Sequence, residues 1–238
     1  MNHRQSVNNV QKKLRSLANP EIAAHSTRFM KTGKGQYGEG DRFLGIRIPE
    51  LRRLLKECNK LSIEDTLILL RSEYHEERWF ALQVLQRKFQ RGAASEKKTI
   101  YALYLDNTEY INGWDLVDSS APGIVGVYLE QKNRRILYRL ARSRSMWERR
   151  IAILATLHFI RRHDFDDALA LAKLLLKDKE DLLHKAVGWM LREVGNRDRA
   201  AERRFLDQYY PHMPRTMLRY AIEKFPEKTR KAYLRSTK

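Results

Sequence analysis

Trp114 and Asp118 stand four residues apart in the run Asn112-Gly-Trp-Asp-Leu-Val-Asp-Ser-Ser-Ala-Pro122, which puts an indole and a carboxylate on one face of a helix. That pair suits one reaction in particular. Breaking an N-glycosidic bond builds positive charge on the sugar, so a preorganised carboxylate would stabilise the transition state and orient the attacking water. Indole faces pack against a deoxyribose and attract cationic groups, including a base that alkylation has made positive. Such a base leaves readily and needs little from a general acid, so a carboxylate with no partner His or Lys would suffice. The same spacing also suits a core tryptophan and a salt-bridged aspartate.

Other catalytic patterns find less support. The sequence holds no H-E-x-x-H, no G-x-S-x-G and no P-loop, and its seven histidines are scattered. Lys185 as a Schiff-base nucleophile would have only Arg192 as a nearby second cation. A literal G-x-G-x-x-G occurs at Gly33, Gly35 and Gly38. It lacks the preceding strand and following helix of a dinucleotide site, so residues 33–40 read as a mobile loop whose Lys34 and Tyr37 could touch nucleic acid.

The elements that must position these residues are helices. Apolar residues recur at helical spacing along nearly the whole chain, and no stretch alternates as a half-buried strand would. Helix starts are marked at Asn19-Pro20-Glu21, Pro49-Glu50, Ser62-Ile63-Glu64-Asp65, Ser72-Glu73 and Asp164. About twelve helices of ten to eighteen residues, joined by short turns, fit the length.

Four basic residues each open an apolar run: Arg78-WFALQVL, Arg150-IAILATL, Lys185-AVGWML and Arg219-YAIEKF. Their separations of 72, 35 and 34 residues place an absent member near residue 114, where the carboxylate stands. A period of about 35 predicts a solenoid of helix pairs in which one helix of each pair lines a concave face. A row of exposed cations on that face would follow a phosphate backbone without reading sequence, although helix-opening Arg and Lys can also be simply solvated. Trp147 with Arg150, and Lys185 with Trp189, pair an aromatic with a cation beside the same row.

Composition agrees with such a partner. The 238 residues carry 47 Lys and Arg against 29 Asp and Glu, a net charge of +18 spread along the chain, and 42% are hydrophobic, enough for a packed core. The single cysteine, Cys58, excludes an intrachain disulfide and fits a reducing, cytosolic setting. The polar start and the lack of a long apolar segment point away from a signal peptide and a membrane span.

Four segments together resemble the AlkD family of alkylpurine DNA glycosylases. They are Phe43-Leu-Gly-Ile-Arg-Ile-Pro49-Glu-Leu-Arg, Trp114-Asp-Leu-Val-Asp118, Trp147-Glu-Arg-Arg150-Ile-Ala-Ile-Leu and Lys185-Ala-Val-Gly-Trp189-Met-Leu-Arg192-Glu, and the similarity runs in order over about residues 20–225. The resemblance implies an all-α superhelix of about six HEAT-like helix pairs, forming one domain over residues 1–238 with a basic concave face for double-stranded DNA. It implies excision of 3-methyl- and 7-methylpurines by a monomer, without metal or cofactor and without sealing the base in a pocket. By the same resemblance Asp118 supports the sugar cation and positions water, Trp114 and Trp189 pack around the sugar, and Arg150 holds the backbone. Arg47, Arg78, Arg149, Lys185 and Arg192 are the expected further DNA contacts. The glycine-rich loop at 33–40 departs from the family pattern, whereas the catalytic positions do not. Some relatives have lost the site, so a catalytically silent binder of branched or distorted DNA is the alternative reading. A HEAT-like scaffold for a protein partner would instead need an apolar groove.

Overall fold

The computed structural model describes residues 3–57 and 61–235; Cys58 lies outside the described residues. The fold is all-α, as the apolar spacing implies, and the described residues contain no strand beyond one isolated bridge between Arg42 and Tyr74. The chain divides into two compact units, Met1–Leu116 and Val117–Lys238.

The first unit holds α1 (His3–Ser16), α2 (Pro20–Phe29), α3 (Ile48–Glu57), α4 (Ile63–Leu70), α5 (His75–Arg91), α6 (Ala94–Asp106) and the first turn of α7 (Trp114–Ala121). Its core is α5, whose Phe80, Leu82, Leu85 and Phe89 are buried as it packs against α3, α4 and α6. The second unit continues α7 and adds α8 (Arg135–Leu140), α9 (Met146–Ala155), α10 (Leu157–Ile160), α11 (Asp166–Leu174), α12 (Asp181–Gly195), α13 (Arg199–Tyr209), α14 (Arg215–Ala221) and α15 (Glu227–Arg235). Here α12 is the central helix, packed on α9, α11, α13 and α14.

Local signals set several boundaries. Asn19 Oδ1 accepts the amides of Glu21 and Ile22 at 3.0 and 3.1 Å, and Ser62 Oγ accepts that of Asp65 at 3.0 Å, so α2 and α4 open where the sequence places them. Elsewhere the expectations shift. The helix expected at Ser72 begins at His75, and the one expected at Asp164 begins at Asp166, because Asp164 is taken by Arg134 at 2.7 Å. Helices are also shorter and more numerous than expected. The run after Arg150 breaks between α9 and α10 at Thr156, whose hydroxyl bonds the Ile153 carbonyl at 2.6 Å.

The repeat is present but in a different register. Ser72 Oγ, Ser143 Oγ and Asp178 Oδ1 each accept the amide two residues on, at 3.1, 3.0 and 3.0 Å. Six residues after each of them, a basic side chain folds back on that residue's carbonyl: Arg78 on Ser72 and Arg149 on Ser143, both at 3.0 Å, and His184 on Asp178 at 2.6 Å. The spacings are 71 and 35 residues, so the row read from Arg78, Arg150 and Lys185 is one residue out of register at its second and third members. Nor are Arg78 and Arg149 solvated. Arg78 is 4% exposed and also binds Asp41 at 2.6 Å, while Arg149 binds Asp178 at 2.6 and 3.2 Å. A guanidinium with five fixed donors completes its own turn more economically than it faces water.

The second unit also encloses a mismatch. Glu202 is 1% exposed, neither carboxylate oxygen has a hydrogen-bond partner among the described residues, and Arg199 approaches only to 3.5 Å. Burial pushes its carboxyl up to about 8, against the pull of Arg199, Arg192 and Arg203. The folded pKa lies above the unfolded one, so the carboxyl costs stability as pH rises through about 4.5 to 8. Glu202→Gln should therefore raise stability at pH 7.5 by about 2 kcal/mol and change it little at pH 4.5. Paired thermal melts at the two pH values would check this.

Candidate active site

Asp118 lies one helical turn after Trp114 on α7. Pro122 stands four residues further on and cannot donate to the Asp118 carbonyl, and the chain widens there into a π turn over Pro122–Gly126. Interrupted helices of this kind concentrate at functional sites.

Arg150 of α9 grips the Asp118 carboxylate with a two-pronged pair, Nε to Oδ1 and Nη2 to Oδ2, both at 2.8 Å. Its remaining terminal nitrogen donates to the Leu182 carbonyl on α12. Three elements are thus joined through one guanidinium, and the planar fork fixes the carboxylate in orientation as well as position. The Arg150 side chain is 5% exposed whereas that of Asp118 keeps 17%, so the carboxylate is the member of the pair that meets solvent. The expected exposed phosphate anchor at Arg150 is instead a buried group engaged by Asp118 and Leu182.

The face of α12 that presents Leu182 also carries Lys185, Trp189 and Arg192, at spacings of three, seven and ten. Trp189 is half-buried, and its indole N–H donates to Glu193 at 3.3 Å, with Glu193 held in turn by Arg197 at 2.8 Å. Lys185 pairs with Asp181 at 2.7 Å, and Arg192 pairs with Glu223. In the first unit Trp114 is half-buried and meets the edge of Phe29, centroids 6.3 Å apart at 74°; Phe29 is itself 61% exposed. Arg47 is exposed at the start of α3. Of the residues singled out in the sequence, the structure brings Asp118 and Arg150 into direct contact and places Lys185, Trp189 and Arg192 in one stripe, whereas Arg78 is consumed inside the first unit.

The glycine-rich segment forms successive turns closed by its own side chains. Gln36 accepts the Gly33 amide at 3.0 Å and Glu39 accepts that of Gly35 at 2.8 Å. Neither a strand before it nor a helix directly after it is present, which removes the dinucleotide reading.

What sequence reasoning missed is the start of α5. His75, Glu76, Glu77 and Arg78 are four consecutive polar residues, and all are buried. Glu76 accepts three backbone amides, Leu44 at 2.9 Å, Gly45 at 2.8 Å and Ile46 at 3.2 Å. Glu77 holds α1 through Gln11 at 2.9 Å and Arg15 at 3.0 Å. The segment Phe43-Leu-Gly-Ile is therefore a carboxylate cradle, and Gly45 is required in it: its φ is +79°, and a Cβ there would sit 2.1 Å from the Asn19 carbonyl oxygen.

The sequence pattern of the DNA alkylation repair enzyme family matches residues 10–225, nearly the whole chain. The chain belongs to the DNA alkylation repair enzyme family. The same fold occurs in a solved structure described as a predicted DNA alkylation repair enzyme from Enterococcus faecalis, with TM-score 0.67 and 19% identity over 88% of this chain and 97% of that one. No protein of curated function matches the sequence. Family membership places this alkylation repair protein among DNA repair enzymes. No described helix is long and apolar enough to cross a membrane, and no three described His, Cys, Asp or Glu side chains gather as metal ligands would.

Proposed function

We propose that this DNA alkylation repair protein is a monofunctional glycosylase of the cytosol. It hydrolyses the N-glycosidic bond of cationic alkylpurines such as 3-methyladenine and 7-methylguanine in duplex DNA and so begins base excision repair. One observation carries the reading: the Asp118 carboxylate is oriented by a buried guanidinium, while 17% of its side-chain surface stays exposed to solvent. A carboxylate fixed in this way can meet positive charge as it develops on the sugar without reorganising at the moment of reaction. Part of its field is already balanced by Arg150, so its effect rests on placement more than on bare charge. Trp189, its N–H tied to Glu193, and Trp114 supply indole faces for the deoxyribose. Arg47, Lys185 and Arg192 are the cations proposed to meet phosphates, Lys185 and Arg192 by exchanging their carboxylate partners.

The test is release of free base from duplex DNA containing 7-methylguanine under single-turnover conditions. Release by the wild-type protein supports the reading, and tight DNA binding without release favours the catalytically silent alternative. Binding should weaken about a hundredfold between 50 and 200 mM salt if roughly four phosphates are neutralised. Fluorescence anisotropy with a labelled duplex would measure this, and a flat response would exclude phosphate tracking.

A further inference from the structure

His75 is 3% exposed and joins three parts of the first unit. Its Nδ1 lies 2.7 Å from Asp41 Oδ2, in the segment between α2 and α3, and its Nε2 lies 2.8 Å from Asp115 Oδ2, in the first turn of α7. With both carboxylates ionised each partner is an acceptor, so both ring nitrogens donate and the ring carries two protons. Arg78 holds the other Asp41 oxygen at 2.6 Å, and the imidazole stacks on Phe43 with centroids 4.7 Å apart. A Cβ at residue 113 would stand 2.9 Å from His75 Cε1, so Gly113 is what lets the start of α7 approach the ring this closely. Asp115 is the immediate neighbour of Trp114.

We propose that His75, clamped as an imidazolium between Asp41 and Asp115, is a positioning residue that sets the first turn of α7 and thereby the indole of Trp114. The assignment rests on the glycosylase reading above for its consequence in the reaction, and on the clamp geometry alone for its consequence in the protein. Burial by itself would lower the imidazole, but its bonds to Asp115 and Asp41 outweigh that and push it up to about 9. The facing charged groups are Asp41 from the 30–47 segment and Asp115 from α7, with Arg78 of α5 behind Asp41. The folded value lies above the unfolded 6.5, so the clamp's contribution to stability is fully present below about 6.5 and is lost as pH rises through about 9.

The experiment follows the full chain by NMR, recording the His75 imidazole and the Trp114 indole N–H between pH 6 and 10. Base release is measured in parallel for wild type, His75→Gln and Asp115→Asn. The proposal predicts that the imidazole titrates above pH 8 and that the Trp114 signal moves on the same limb. It also predicts that His75→Gln releases base about ten to a hundred times more slowly at pH 7.5, with DNA affinity changed less than threefold. In Asp115→Asn the titration should move to lower pH. An imidazole midpoint near 6.5, an indole signal indifferent to it, or an unaltered rate in His75→Gln would overturn the proposal. If the His75 variant does not fold, the wild-type titration decides alone. If no protein releases base, the glycosylase reading fails, while the two NMR titrations still decide whether His75 places Trp114.

Discussion

Asp118→Asn should lower base release from 7-methylguanine DNA by roughly a hundred- to a thousandfold, equivalent to about 3–4 kcal/mol of transition-state stabilisation, while DNA affinity changes little. Asparagine keeps the shape of the side chain and one oxygen for Arg150, but it removes the negative charge and turns an amide N–H toward the guanidinium. The chemical effect must be separated from a structural one. Arg150 is buried, and a buried cation deprived of its carboxylate typically costs about 3–5 kcal/mol. Single-turnover release, DNA anisotropy and a thermal melt on the same preparation make the distinction. A folded, DNA-binding variant that is slow only in release locates the chemistry at Asp118. A variant that releases base at the wild-type rate moves it elsewhere.

Glu76→Ala should be strongly destabilising, by about 3–5 kcal/mol. Glu76 is 5% exposed and is the acceptor for the amides of Leu44, Gly45 and Ile46, so truncation leaves three buried donors without a partner, each at about 1–3 kcal/mol. Against a total stability of about 5–15 kcal/mol for a domain, that loss would bring the first unit close to unfolding. Urea titration monitored by circular dichroism would measure it, and a loss below about 1 kcal/mol would mean that water reaches the cradle. Glu76→Gln should fall between the two proteins, since one amide oxygen can replace part of the acceptor set.

The parts legible in the sequence are those with short-range causes. The helices follow from apolar spacing, and the caps at Asn19 and Ser62 bond amides two or three residues away. Asp118 stands out because a carboxylate interrupts a basic pattern, and Trp189 because it recurs beside that pattern. Their partners were harder to foresee. Asp118 and Arg150 are 32 residues apart, and nothing local distinguishes a guanidinium that grips a carboxylate from one that faces water. The same limit hid His75, Glu76 and Glu77, whose partners lie 30 to 66 residues away. In a chain so rich in charge, four consecutive polar residues look like a solvated helix start. Only the packing of α5 at the centre of its unit turns them inward.

The π turn at Pro122–Gly126 gives the second unit a phase that insertion or deletion would spoil. A wide turn holds one residue more than an ordinary one, so the residues after it are advanced by about 100° around the helix axis. Removing one residue between 122 and 126 would restore regular winding and rotate the chain that follows, turning Leu129 off the interior it now occupies. The extra residue therefore fixes which side of the chain beyond it turns inward, independently of the winding that presents Asp118.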